Sequence, residues 1–530
     1  MKHILIITLA LFSFSNCFAV GKVNKVKKQK TTQVNTDSLA LVELKKKAEG
    51  GDSNAQNTLG VWYYTGKIVK KDYEIALKWW SVAAKASHAE AIANMGICYQ
   101  MGHGTKRDSL MAVKLYKQSI KKGNKAFVEE REKRLKEKVN LFDACFLAEI
   151  FEEGSVVTKD INKAANYYIM AGNAGSMHSF VSAAEIYEKS KNFPLAFKLY
   201  SKAAKSEKMA AYKCGEYLYK GLGTAVNKPE AAKYLKVAAQ HAIPNAQILL
   251  GDLYFKGDGV EKDAEKALLL YKSAALKNNP AAMWNVGLIY IDGADGVKVN
   301  LQRGLSWMAM ASEKGMKSNF QKKLNEVKGG ENNGWKDTNF YGYVKGMTLL
   351  YGHKKNCDEA IKCFEKMEKQ KNALGTTMRA MCYADKDWQK ANDKKAVKLL
   401  SKAAEENESV ACYQLALRYE KGNGVTADKK SALDLIQKAA GNGYAPAICH
   451  LGKYYFEGKV VDKNLTKAIE HFLSAMMEGY LSEDAAKVLS ECYNQGLGGL
   501  KKDSKMAKVV LEKAVKTDPV LSLVRNLNLE

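Results

Sequence analysis

An all-α chain built as a stack of helix pairs is predicted by three features of the sequence. Only six prolines occur in 530 residues, and Ala, Leu, Lys and Glu are frequent, which favours helix over strand. The length exceeds one ordinary compact core, so the chain forms either several domains or one elongated array. The stretch LGDLYFKGDGVEKDAEKALLLYKSAA, residues 250 to 275, then recurs at a fixed step. Its first glycine, Gly251, has counterparts at Gly60 and Gly96, at Gly215 and Gly287, and at Ala416 and Gly452, each 36 residues apart within its group. A period of that size marks a repeat architecture.

Each unit reads as two helices. The first, helix A, carries Ala246, Leu250, Gly251 and Tyr254 on one face. Glycine inside a helix costs about 1 kcal/mol relative to alanine, so Gly251 implies the close approach of a neighbouring helix. Gly257 ends helix A in a left-handed cap, and Gly259 with Val260 turns the chain. Asp263 is an N-cap for helix B, a position held elsewhere by Asp72, Asp108, Asp160 and Asp428. Helix B buries Ala267, Tyr271, Ala274 and Ala275 at i, i+4, i+7 and i+8, and Asn278, or Gly443 in a later unit, closes it. A G-D-G that returns with the repeat is structural punctuation and not a phosphate cradle.

Departures from the pattern divide the chain. Residues 1–19 read as a secretory signal peptide: Met1-Lys2-His3, the apolar run Ile4 to Phe14, and small residues at Cys17 and Ala19 that suit cleavage before Val20. Lipidation of Cys17 is the alternative, although Phe14 and Asn16 fit a lipoprotein box poorly. Residues 20–36 are a flexible Lys-rich tether. The first array covers 37–317, opening with an isolated helix B at Asp37. It contains a charged insertion from Lys125 that is expected to lengthen a helix, and a unit near Ala184 to Lys205 without the double-glycine turn. Residues 318–340, with Gly329-Gly330 and Asn332-Asn333-Gly334, are expected to be an irregular linker. The second array covers 341–516, degenerate as far as Asn407, and 517–530 is a C-terminal cap or tail.

The formal charge is +26, but only seven of the 83 basic residues are Arg, and the Lys are scattered through every segment. That is a solvated surface more than a nucleic-acid stripe, so no nucleic-acid partner is expected. The nine cysteines after Cys17 form no C-x-x-C pair. Cys98, Cys382 and Cys492 each precede a tyrosine and read as one repeated buried position, while Cys357 and Cys363 could pair locally. No H-E-x-x-H, G-x-S-x-G or G-x-x-x-x-G-K-[ST] motif occurs. His88 and His241 lie at helix ends without a second ligand at metal spacing, and His450 beside Cys449 points elsewhere. No catalytic, cofactor-binding or metal-binding residue is therefore expected.

The segment AQILLGDLYFKGDGVEKDAEKALLLYKSAALKN from Ala246 resembles the Sel-one-like repeats, a branch of the tetratricopeptide superfamily, nearly throughout. The resemblance extends from Asn54 to about Val515 in roughly twelve units. It implies a right-handed superhelical α-solenoid of antiparallel helix-turn-helix repeats, whose helix A lines a concave groove for a protein or peptide partner. Carried over by position, the groove residues are Trp284, Leu288 and Ile291 around Gly287, and Ile248, Asp252 and Phe255 around Gly251. Tyr413 and Leu417 flank Ala416, and Tyr64, Tyr219 and Phe456 occupy the later position in their own units. The expected function is a non-catalytic exported adaptor without a membrane span and of open oligomeric state. The alternative is a surface-acting or host-directed module that binds acidic ligands through its lysines.

Overall fold

The computed structural model describes residues 39–328, 335–353, 355–514, 519–525 and 527. The expected signal peptide over 1–19, Cys17 and the tether over 20–36 lie outside the described residues. The chain forms two compact units, residues 1–210 and 211–530, and the division falls in the first turn of the helix Lys208–Lys220. The described residues are helical throughout, apart from turns and one isolated bridge between Ala294 and Val297.

In the first unit a helix over residues 39–49 starts the stack and buries Ala48 beside Leu59. Helix A Ser53–Thr65 then packs on helix B Tyr73–Lys85, which in turn packs on the next helix A, Ala89–Met101. The caps are those expected. Asp72, Asp108 and Asp160 accept from Ile75, Met111 and Lys163 backbone N–H, each at 2.9 Å. The pair Met177–Lys189 and Phe193–Ala203 lacks the double glycine and turns through Lys191 at φ +60°.

The repeated glycine has the predicted cause. A Cβ on Gly251 would stand 2.7 Å from Tyr271 Cε1, so the helix B ring lies directly on the helix A backbone. Twenty residues after most motif glycines stands the side chain that fills this contact, Trp80 for Gly60, Tyr116 for Gly96, Leu235 for Gly215 and Phe472 for Gly452, while at Gly287 it is Met308, twenty-one residues on. Where Ala416 replaces glycine, the branched Ile436 takes the place of a ring in the same buried cluster.

Four expectations are corrected. The charged insertion does not lengthen a helix: Gly123, at φ +102°, ends Ser109–Lys121, and Ala126–Glu137 forms separately, burying Phe127, Val128, Arg131 and Leu135. Of the supposed irregular linker, 318–328 and 335–340 belong to the helices Lys317–Lys328 and Trp335–Tyr351, because Phe320, Leu324, Phe340 and Tyr343 have a core to enter. The helix Pro519–Arg525 is neither an end cap nor a frayed tail; its Val520, Leu523 and Val524 are buried within the second unit. Cys357 and Cys363 are both free thiols. Cys98, Cys382 and Cys492 are buried as expected, and burial pushes the Cys98 thiol up to about 12.

The second unit differs from a simple stack in contacting itself across long sequence separations. Both Glu478 carboxylate oxygens accept from Lys272 Nζ at 2.8 Å, across 206 residues, and Arg303 donates to the same carboxylate. Gly479 follows at φ +83°, where a Cβ would lie 2.8 Å from Met310 Cε and 2.9 Å from Trp307 Cζ2. Lys513 Nζ donates to Asn278 Oδ1 at 2.7 Å, across 235 residues.

Candidate partner-binding site

The eleven carried-over positions are divided between the two units. Tyr64 belongs to the first unit and the other ten to the second. Ile291 is removed from the stripe: it is 1% exposed, and its Cδ1 fills the space over Gly304. The adjacent turn of helix A points at its own helix B there, so the i+4 position is core in this unit. The remaining ten are partly exposed.

Four of these ten are already occupied. Tyr64 is hydrogen-bonded to His103 at 2.9 Å and packed between the Tyr73 and Trp80 rings; burial pushes its hydroxyl pKa up. Asp252 accepts from the Tyr271 hydroxyl at 2.6 Å. Lys228 Nζ sits 3.4 Å from the Tyr219 ring centroid and donates to the Tyr219 carbonyl at 2.9 Å. Tyr413 faces the rings of Tyr444 and His450. These side chains fasten helix A to its own helix B, and through His103 and His450 also to the next repeat.

Ile248, Phe255 and Trp284 are brought together. They come from the consecutive A helices Pro244–Lys256 and Pro280–Asp292, and all three pack on the core formed by Ala267, Tyr271, Val286 and Trp307 while keeping part of their surface in solvent. Trp284 also packs on the next core, together with Leu288. Phe456 lies on a separate cluster around Phe472.

Sequence reasoning missed the cleft where the second unit meets itself. It measures ≈ 80 Å³ and is lined by Arg303, Ser306, Met310, Tyr444, Glu478 and Tyr480, among others. This is well below the roughly 300–1,000 Å³ of small-molecule sites. Arg303 stacks over Tyr290, 4.4 Å from the ring centroid. A buried Lys and a part-buried Glu two hundred residues apart leave no local signal. Among the described residues no group of three or more His, Cys, Asp or Glu could hold a metal ion, and no helix is long and apolar enough to cross a membrane.

The Sel1 repeat model matches the chain twelve times, over residues 53–88, 89–124, 144–176, 186–207, 208–242, 244–279, 280–316, 339–372, 373–408, 409–444, 445–480 and 484–515. The chain belongs to the Sel1 repeat family. The gaps in the Sel1 match include the two places where extra helices enter, Ala126–Glu137 and Lys317–Lys328. The chain is 28% identical over 270 residues to the chitin synthase regulator SKT5 of Saccharomyces cerevisiae, covering 44% of this chain and 39% of that one. It is 39% identical over 70 residues to HRD3 of Candida glabrata, a component of an ERAD-associated E3 ubiquitin-protein ligase, covering 13% and 8%. Against the Sel1-repeat-containing protein YjcO of Escherichia coli it is 27% identical over 170 residues, covering 29% and 72%. The chain thus spans well under half of the length of the curated chitin synthase regulators it matches, 39% and 31% for two of them. A solved protective antigen of uropathogenic Escherichia coli with an SLR fold covers 92% of this chain and 98% of its own, at 23% identity and a TM-score of 0.34.

Proposed function

We propose that this Sel1 repeat protein is a non-catalytic adaptor, exported by its N-terminal apolar segment, that binds a protein or peptide partner through Ile248, Phe255, Trp284 and Leu288. The observation that carries the reading is the grouping of large apolar side chains from two successive A helices that stay partly in solvent. Buried-edge aromatics of this kind anchor protein interfaces. The names of the relatives, regulators of a synthase and a component of a ligase, support an adaptor over an enzyme.

The test is crosslinking capture with the mature chain and with a Trp284→Ala, Phe255→Ala variant. A defined partner should be lost with the variant, with Trp284→Ala alone costing about 2 kcal/mol or more of binding while the helical circular dichroism at the assay temperature is retained. Capture that is unchanged by the variant and falls steeply with salt would favour binding of acidic ligands by the basic surface. Export is checked by N-terminal sequencing of the native protein, which should begin at Val20.

A further inference from the structure

At other junctions of the second unit, helix B packs directly on the following helix A. Ala264–Ala275 does so on Pro280–Asp292, Asp393–Glu405 on Ser409–Lys421, and Lys429–Gly441 on Ala445–Glu457. The junction interrupted by Lys317–Lys328 is built differently. Helix B Leu301–Ala311 and helix A Trp335–Tyr351 each pack against the C-terminal helix Pro519–Arg525, which arrives from the far end of the chain.

This helix buries Val520 at 7%, Leu523 at 7% and Val524 at 0% exposure in the core that holds Leu305, Met308, Phe320, Phe340 and Tyr343. Leu527 packs at its edge and Arg525 faces solvent. Residues 520, 523 and 524 follow i, i+3 and i+4, the buried face of an amphipathic helix laid in a groove. Seven residues are too few to hold a helix in water, where about 12–15 are marginal. The segment is therefore helical because it is seated, and a few buried aliphatic side chains are offset by the entropy of ordering the backbone that carries them. Short docked elements of this kind populate the low-stability end of local opening.

We propose that Pro519–Arg525 is a built-in competitor occupying a docking cleft for an amphipathic helix of a partner protein with aliphatic residues at i, i+3 and i+4. The resident helix states the chemistry that fits. A partner reaches the cleft by displacing it, and the core exposed by its departure is the one on which Trp284 and Leu288 already pack. The identity of the occupant as a partner protein rests on the adaptor reading. Displaceability does not, because it is measured with the chain's own segment.

The experiment uses the full chain, its Leu523→Asp, Val524→Asp variant, and a fluorescein-labelled peptide of residues 517–530 followed by anisotropy. The variant should bind the peptide at least tenfold more tightly than the unsubstituted chain, and a peptide carrying the same two substitutions should bind neither. A variant with unchanged helical circular dichroism that ignores the peptide overturns the proposal. So does equal binding by both chains. Loss of the helical signal in the variant, repeated in the milder Val524→Ala, would make the segment an obligatory core piece and overturn it too. If the unsubstituted chain elutes as a dimer that the free peptide dissociates, the occupant is a second copy, and the assignment to a partner protein fails while a Trp284-dependent partner can still stand.

Discussion

The two compact units use one repeat and differ in how far their contacts reach. In the first, side-chain hydrogen bonds run about one repeat ahead, as from Tyr64 to His103 across 39 residues. In the second, Lys272 and Arg303 meet Glu478 across 206 and 175 residues, and Lys513 meets Asn278 across 235. Stacked repeats ordinarily sum nearest-neighbour terms. Ties between distant repeats make the second unit more cooperative than its parts, since opening any repeat between them breaks a contact elsewhere.

The comparison is sharpened most by removing one carboxylate from each unit, the buried Asp143 and the part-buried Glu478. Asp143 in the first unit holds Arg131, which is 3% exposed, lies 4.4 and 4.1 Å from the Tyr116 and Phe127 ring centroids, and would be left unpaired. Asp143→Ala should cost about 3–5 kcal/mol and lower only the first unit's transition in guanidinium unfolding followed by fluorescence and circular dichroism. Glu478→Ala strands Lys272 and Arg303, which keep 10% and 18% of their side-chain surface. It should cost about 3 kcal/mol and also reduce the denaturant slope of the second unit's transition, which Asp143→Ala should leave unchanged. If both variants lower one shared transition, the two units are not independent.

A smaller effect tests the shared repeat. Gly251→Ala places a Cβ against Tyr271. Overpacking of about 1–3 kcal/mol outweighs the gain of about 1 kcal/mol in helix propensity. A net loss in thermal midpoint is expected, and Tyr271→Ile in the same chain should restore part of it, as Ile436 does opposite Ala416.

The smallest concerns pH. Burial, with Lys314 and Lys277 nearby, holds the Lys513 ammonium down to about 8 from 10.5. Between those values the unfolded chain binds the extra proton, so the second unit should gain stability as pH rises from about 8 towards 10.5. The gain, screened by solvent, should stay under about 1 kcal/mol, and Lys513→Met should flatten the profile measured by urea midpoints.

Much of the fold was legible because repeats are local. The step of 36 residues, the caps at Asp72, Asp108 and Asp160, and the close approach at Gly251 each depend on side chains within one or two helices. The candidate site was legible in part. Ile248, Phe255, Trp284 and Leu288 keep exposed surface, but a helix turn of 100° per residue leaves little margin, and Ile291 fell into the core. The helices around 318–340 were hidden because the repeat pattern lapses there, leaving only the simple apolar spacing of Phe320 with Leu324 and Phe340 with Val344.

By itself the sequence determined the helix class, the repeat period and the punctuation of each unit, since backbone propensity, capping and glycine clearance are short-range. Only the tertiary structure decided which repeats meet again. That Glu478 returns to Lys272 and that Val524 enters the core beside Phe340 follow from the accumulated rotation of many stacked pairs, a quantity no single unit encodes.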